Sequence, residues 1–173
     1  NVGNAISYSQ TQDGFLEKIG NALDRMSELA VLAQDETKTD QDRALYDKEF
    51  QKLDDFIVAI GNKDFNGVSL FHSGSSLTVT IASDGSTMTL ASVNVAGNSD
   101  FASIAAPKTA VSTSASAAAA LTTIKTAISV LAGNRADIGA NMSRLEAESS
   151  ALAIQKDNMS AARSRIADVD VAQ

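Results

Sequence analysis

Residues 121–166 read LTTIKTAISVLAGNRADIGANMSRLEAESSALAIQKDNMSAARSRI, and the fold of the chain depends on how they are read. Every seventh position from Ile124 is apolar: Ile124, Leu131, Ile138, Leu145, Leu152, Met159 and Ile166. A helix turns once every 3.6 residues, so an apolar repeat of seven holds one face nearly in line over many turns, the pattern of a coiled-coil seam. The companion register, Leu121, Ile128, Arg135, Met142, Ser149, Lys156 and Arg163, begins apolar and turns polar. The spacing predicts one long helix over residues 115–168, its front enclosed by partners and its rear packed along a narrower seam. Residues 117–166 alone would extend about 75 Å at 1.5 Å per residue, far beyond an ordinary globular helix.

Two more helices follow from period. Leu16, Ile19, Leu23, Met26, Ala30 and Ala33 alternate steps of three and four, and Phe15, Ala22 and Leu29 widen that stripe, giving a helix over residues 1–34. Gly3, Gly14 and Gly20 weaken it by about 1 kcal/mol each relative to alanine. After a polar loop, Tyr46, Phe50, Leu53, Ile57 and Ile60 mark a second helix over residues 42–61, with Asp40 or Asp42 as its cap and Gly61-Asn62 as its stop. Residues 73–107 differ in kind. Leu77 to Ala82 and Thr87 to Ala91 alternate apolar and polar about the Asp84-Gly85 turn signal, which predicts a β-hairpin, extended by Val93 to Val95, that packs on a helix. A Ser/Thr/Ala-rich linker containing Pro107 then leads into the third helix.

Composition bounds the function. The 173 residues are room for one domain, and 44% are hydrophobic, yet 29 are alanine, eight are aromatic and none is tryptophan. A thick core is not expected; a thin one is. With no cysteine and one histidine, disulfides, thiol catalysis and Cys- or paired-His zinc sites are excluded. The formal charge of -7 argues against a nucleic-acid partner, which needs a basic face. No run of about eighteen uncharged apolar residues predicts a membrane span, so no membrane partner is expected.

No catalytic constellation emerges. His72 stands alone and reads as a solvated loop residue. The cluster Asp35, Glu36, Asp40 and Asp42 lacks the spacing and glycine of a calcium loop, and adjacent Asp54 and Asp55 cannot face each other on a helix. No catalytic, cofactor or metal site is expected, and the chain is not read as an enzyme. What remains is a long seam suited to contacts between helices, and hence to subunit assembly.

Three motifs then carry a resemblance. Asn4-Ala-Ile-Ser-Tyr-Ser-Gln-Thr-Gln-Asp-Gly14, continuing through Leu23-Asp-Arg-Met-Ser-Glu-Leu-Ala-Val31, resembles the N-terminal helical segment of bacterial flagellins. Lys63-Asp-Phe-Asn-Gly-Val68 is similar to their F-N-G-V turn, and Ala161-Ala-Arg-Ser-Arg-Ile-Ala-Asp-Val-Asp170 to the A-R-S-R-I-x-D-x-D signature of their C-terminal helix. The resemblance implies the conserved D1 core: two N-side helices, a hairpin region and one long C-side helix, in an elongated, mainly α antiparallel bundle. The terminal D0 segments of flagellins are expected to lie outside this sequence, and no D2- or D3-like outer domain is expected within it.

The implied function is that of a structural subunit of the extracellular flagellar filament, which assembles with itself for motility and meets an export chaperone and a filament cap as the full-length protein. Recognition by Toll-like receptor 5 is also implied, through the positions matching Leu23, Arg25 and Leu29 on the first helix, with Asp24 beside them, and Glu49 on the second. Asp24, Ser27 and Leu32 depart from the residues usual there. A hook-filament junction protein shares this core plan and is the nearest alternative; a helical-hairpin adhesin or sensory module is a more distant one.

Overall fold

A seam of this length needs a partner of comparable length, and the chain supplies one from its other end. The computed structural model describes residues 1–71, 76–82, 84–90, 93–95 and 110–169, with side chains of the last helix described through Ile166. Helix α1 spans Val2–Gln34 and α2 spans Asp40–Gly61. Two antiparallel strand pairs follow, β1 (Asp64–Phe65) with β2 (Val68–Ser69) and β3 (Leu77–Thr80) with β4 (Thr87–Leu90). Helix α3 then runs over Ser114–Val169. His72 and Pro107 lie outside the described residues, as does most of the linker.

Helices α1 and α3 pack antiparallel. At one end Gln34 Nε2 donates to the Ala117 carbonyl at 3.4 Å, and Ser114 Oγ donates to the Gln34 carbonyl at 3.2 Å. Further along, Arg135 Nε donates to Asp13 Oδ1 at 2.7 Å. Near the start of α1, Val2 and Leu152 line one cavity. Leu16, Ile19, Leu23 and Met26 face inward with Ile124, Leu131, Ile138 and Leu145, all of them buried. Each such side chain removed from water contributes about 1.5–3 kcal/mol. The outcome is an elongated, mainly α bundle.

The seam of α3 departs from the spacing argument in two ways. Beside the leading register, Ala117, Ala120 and Ala127 are fully buried, while Leu121 and Ile128 of the anticipated companion register are half-buried on the flank. Small side chains take the inner line because they let the helix axes come close, and the larger ones cover the edge. Secondly, the seam is bare beyond Leu152. Met159 and Ile166 are 71% and 77% exposed. Helix α1 has 33 residues against 56 in α3, so at 1.5 Å per residue it ends roughly 35 Å short.

The close approach also explains one glycine. A Cβ on Gly20 would meet Leu131 Cδ2 at 3.3 Å, so this residue admits the neighbouring helix, whereas Gly3 and Gly14 have nothing within 4 Å. Helix α3 does hold one window of membrane-span length with mean hydropathy 1.4, contrary to the reading of the sequence. Its alanines raise that value, and its inner face is the one packed on α1.

Helix α2 starts two residues earlier than the pattern suggested, and its N-cap residue is neither aspartate, although Asp42 completes the cap. Thr39 is the N-cap, its hydroxyl accepting from Asp42 N at 3.2 Å, while Asp42 Oδ2 accepts from Thr39 N at 3.0 Å. This reciprocal box satisfies two backbone donors that the first helical turn leaves free. Beyond Gly61, Asn66 and Gly67 both take positive φ, 51° and 78°, which closes the two-residue hairpin between β1 and β2. The likeness to the F-N-G-V motif implied that turn, although the strands were not anticipated. Tyr8 Oη donates to the Ser69 carbonyl at 2.8 Å and Gln12 Nε2 to the Leu70 carbonyl at 2.7 Å, tying this hairpin to α1. Burial raises the Tyr8 hydroxyl's pKa. The β3–β4 hairpin pairs Leu77 with Leu90 and Thr80 with Thr87. Val93 and Val95 do not extend it; they are buried core residues outside any strand.

Candidate assembly surfaces

The first surface lies where α1 ends and α2 begins. Arg43 is buried there, donating to the Ala33 carbonyl at 2.9 Å, to the Asp35 carbonyl at 3.0 Å and to Asp40 Oδ1 at 2.9 Å. Its fork of fixed donors satisfies the carbonyls that every helix C-terminus leaves open, and so fixes the turn between the two helices. Asp47 Oδ1 accepts from Val111 N at 2.8 Å and brings the start of the third segment into the same corner. No apolar period marks Arg43, which in the sequence is one of two cations, with Lys38, around the start of α2.

On the outer side of this corner lie the candidate receptor residues, and the structure divides them. Leu23 and Leu29 are 0% and 1% exposed, which makes them core residues on the stripe facing the neighbouring helices. Asp24 and Arg25 are exposed on α1. Arg25 Nε donates to Glu49 Oε1 at 2.7 Å, Nη2 to Glu49 Oε2 at 3.2 Å, and Nη1 to Glu28 Oε2 at 2.8 Å. This two-pronged clamp joins α1 to α2 at the surface. The Arg25 hydrogen bond, reinforced by its charge, holds the Glu49 carboxyl below its ordinary pKa, and Glu49 and Glu28 together raise that of Arg25. Two carboxylates on one guanidinium, with Asp24 alongside, leave the patch acidic. Val31 and Leu32 are exposed next to it, and with Ser27 and Glu28 they line an open groove of about 440 Å³.

The second surface is the far end of α3. Residues 153–166 are exposed throughout, including Ile154, Met159 and Ile166. Lys156, Met159, Arg163 and Ile166 succeed one another by three, four and three residues and therefore share a stripe. Among the described residues, no group of His, Cys, Asp and Glu is arranged to hold a metal ion.

A rod of antiparallel helices whose apolar seam outruns its own partner helix is a structural core domain in class, with surfaces at both ends. The comparisons place it more narrowly. Residues 1–76 match the bacterial flagellin N-terminal helical region and residues 121–173 the bacterial flagellin C-terminal helical region. A flagellin from Halalkalibacterium halodurans is 32% identical over 177 residues, covering 100% of this chain and 64% of the relative. The crystal structure of Bacillus cereus flagellin superposes with a TM-score of 0.79 at 31% identity, over 94% of this chain and 93% of that one. The chain belongs to the bacterial flagellin family. A chain described as a flagellar hook-associated protein from Vibrio parahaemolyticus shares the fold, with a TM-score of 0.77 at 18% identity over 95% of this chain and 88% of that one. Curated relatives matched along the whole chain are longer, and the chain spans 64–66% of their length.

Proposed function

We propose that this chain is the rod-shaped core of a structural subunit of the extracellular bacterial flagellar filament, which assembles with itself for motility and has no enzymatic role. One observation carries the reading: the two stretches alike to the flagellin helical regions, residues 1–76 and 121–173, form the helices that pack lengthwise along one apolar seam. The identities of 31% to the Bacillus cereus flagellin and 18% to the hook-associated chain favour a filament subunit over a junction protein. An export chaperone and a filament cap are proposed partners of the longer protein. Deleting the gene that encodes this chain and supplying it back tests the reading by electron microscopy. Filaments should disappear and return; filaments of unchanged length and number after deletion would overturn it.

A second reading, recognition by Toll-like receptor 5, is supported by the exposed Arg25 clamped to Glu49, an arginine with a fixed donor fork of the kind enriched in binding hot spots. With Leu23 and Leu29 inside the bundle, the surface offered is Asp24, Arg25 and Glu49. A receptor reporter-cell assay of the parent chain against Arg25→Ala tests it. The variant should lose activity; a parent without activity ends the reading.

A further inference from the structure

The turn between β1 and β2 holds Asn66-Gly67, and no other asparagine of the chain is followed by glycine. Both residues are exposed, and among the described residues the Asn66 side chain is bonded to no protein group. A glycine amide is the least hindered nucleophile that can follow an asparagine, because glycine has no side chain to block its approach to the neighbouring carbonyl carbon. The backbone is suited to that attack as well. The five-membered ring it forms holds its first residue as a type II′ turn holds its first central position, with φ positive and ψ about -120°. Asn66 already has φ 51°. Types I′ and II′ are the usual closures of a two-residue hairpin, and both keep φ positive at that position. Passing from one to the other turns a single peptide plane and leaves the strands in place. The second hairpin shows the contrast. Asp84 precedes Gly85, which has φ 88°, but Asp84 Oδ1 accepts from Ser86 N at 2.9 Å, and hydrogen bonds from Ser86 hold the carboxyl below its ordinary pKa. A carboxylate resists attack by an amide nitrogen, and the neutral amide of Asn66 does not.

We infer that Asn66 is a site of self-modification, at which the folded hairpin deamidates and is thereby loosened from α1. The Gly67 nitrogen bonds to Asn66 Cγ, the Cγ–Nδ2 bond breaks, and the proton of that nitrogen leaves with the side-chain amine as ammonia. Solvent water then opens the ring. Cleavage between Cγ and the Gly67 nitrogen leaves an aspartate at position 66 in an ordinary backbone. Cleavage between the main-chain carbonyl carbon and the same nitrogen routes the backbone through Cγ as an isoaspartyl link. The first product adds a negative charge to the turn. The second adds one backbone atom as well, and a turn of two residues cannot take it up without disturbing the pairing of Asp64 with Ser69 and Phe65 with Val68. Three bonds depend on that pairing. Leu70 N donates to the Lys63 carbonyl at 2.9 Å, Tyr8 Oη to the Ser69 carbonyl at 2.8 Å and Gln12 Nε2 to the Leu70 carbonyl at 2.7 Å. The isoaspartyl form therefore weakens the tie between the hairpin and the first turns of α1.

The 173-residue chain, incubated in mildly acid and mildly alkaline buffer and then read by peptide mass spectrometry with an isoaspartyl methyltransferase assay, tests the inference. Asn62 and Asn158, exposed and followed by Lys63 and Met159, serve as clocks within the same molecule. Asn66 should convert about tenfold or more faster than either, because only its neighbour lacks a side chain. Alkali should speed it, since the attacking nitrogen must lose its proton. The folded chain should convert no more than about tenfold more slowly than the chain in urea, because the hairpin admits the ring by a change of turn type alone. Gly67→Ala, compared with the parent in urea where folding plays no part, should slow conversion by about tenfold or more. Conversion at Asn66 no faster than at Asn62 overturns the inference. Stronger protection by folding overturns the fit of the ring to the hairpin, and a rate indifferent to alkali or to Gly67→Ala overturns the ring route. Hydrogen exchange at the Leu70 amide reads the loosening. It should be faster in the isoaspartyl form than in the unmodified chain or in Asn66→Asp, and equal exchange in all three overturns that consequence.

Discussion

The front and rear of α3 share a heptad and almost nothing else. Ile124, Leu131, Ile138 and Leu145 are at most 5% exposed, whereas Met159 and Ile166, two and three repeats further along, lie open to water. The leading register is apolar in both, although the companion register turns polar at the rear; the part that α1 reaches is the part that is covered. An apolar period identifies the face of a helix that can be buried, and only the length of the opposing element decides whether it is. The rear stretch keeps its helical form without a partner because local hydrogen bonds and alanine-rich sequence suffice to extend a helix already nucleated by packing.

The comparison is most easily broken by truncating one seam residue in each region. Leu145→Ala should destabilise the chain by about 2–5 kcal/mol in chemical denaturation, the usual cost of a lost buried side chain and the cavity left behind. Met159→Ala, on the same register, should move stability by less than about 0.5 kcal/mol. Equal effects would mean that the rear seam is packed within the molecule. A smaller contrast sits inside the front region. Gly14→Ala should raise stability by about 0.5–1 kcal/mol, since its Cβ would enter open space and helix propensity improves. Gly20→Ala should gain less, because Leu131 Cδ2 stands 3.3 Å from the new atom. Identical thermal shifts for the two would remove close packing as the reason for Gly20.

The smallest effect belongs to the solvated clamp between α1 and α2. Glu49 is held below its ordinary pKa by the Arg25 hydrogen bond first and by its charge second. A carboxyl with a depressed folded pKa contributes stability above its unfolded pKa, and that contribution is lost as the pH falls through the folded value. Both partners are exposed, so the change is slight and best read at the group itself. Carboxyl NMR should show Glu49 titrating below the normal glutamate range and returning towards it in Arg25→Ala. A Glu49 titration that Arg25→Ala leaves unmoved would show that the clamp is open in solution.

Much of the architecture was legible because period survives without knowledge of partners. The inward stripe of α1 and the apolar positions Phe50, Ile57 and Ile60 of α2 are the buried ones. The hairpin signal at Asp84-Gly85 holds, with Gly85 at φ 88°. Caps and corners were less legible. Thr39 competes with two nearby aspartates of similar propensity, and only backbone direction selects it. Arg43 reads as one more surface cation until the end of α1 brings three acceptors around it. Leu23 and Leu29 show the limit for the candidate site. Family likeness placed them on a receptor surface, while their spacing placed them on the apolar stripe, and in this structure the stripe is inside.

Sequence alone determined that the chain is helical at both ends, that its long helix carries one continuous apolar line, and that no thiol or paired-histidine chemistry is available to it. These are properties of residue type and interval, which exist before folding. Tertiary structure decided that Ala117, Ala120 and Ala127 rather than Leu121 and Ile128 form the deeper flank, and that the line is covered as far as Leu145 and bare by Met159. Burial is a relation between two surfaces, and a single helix can state only its own half of it.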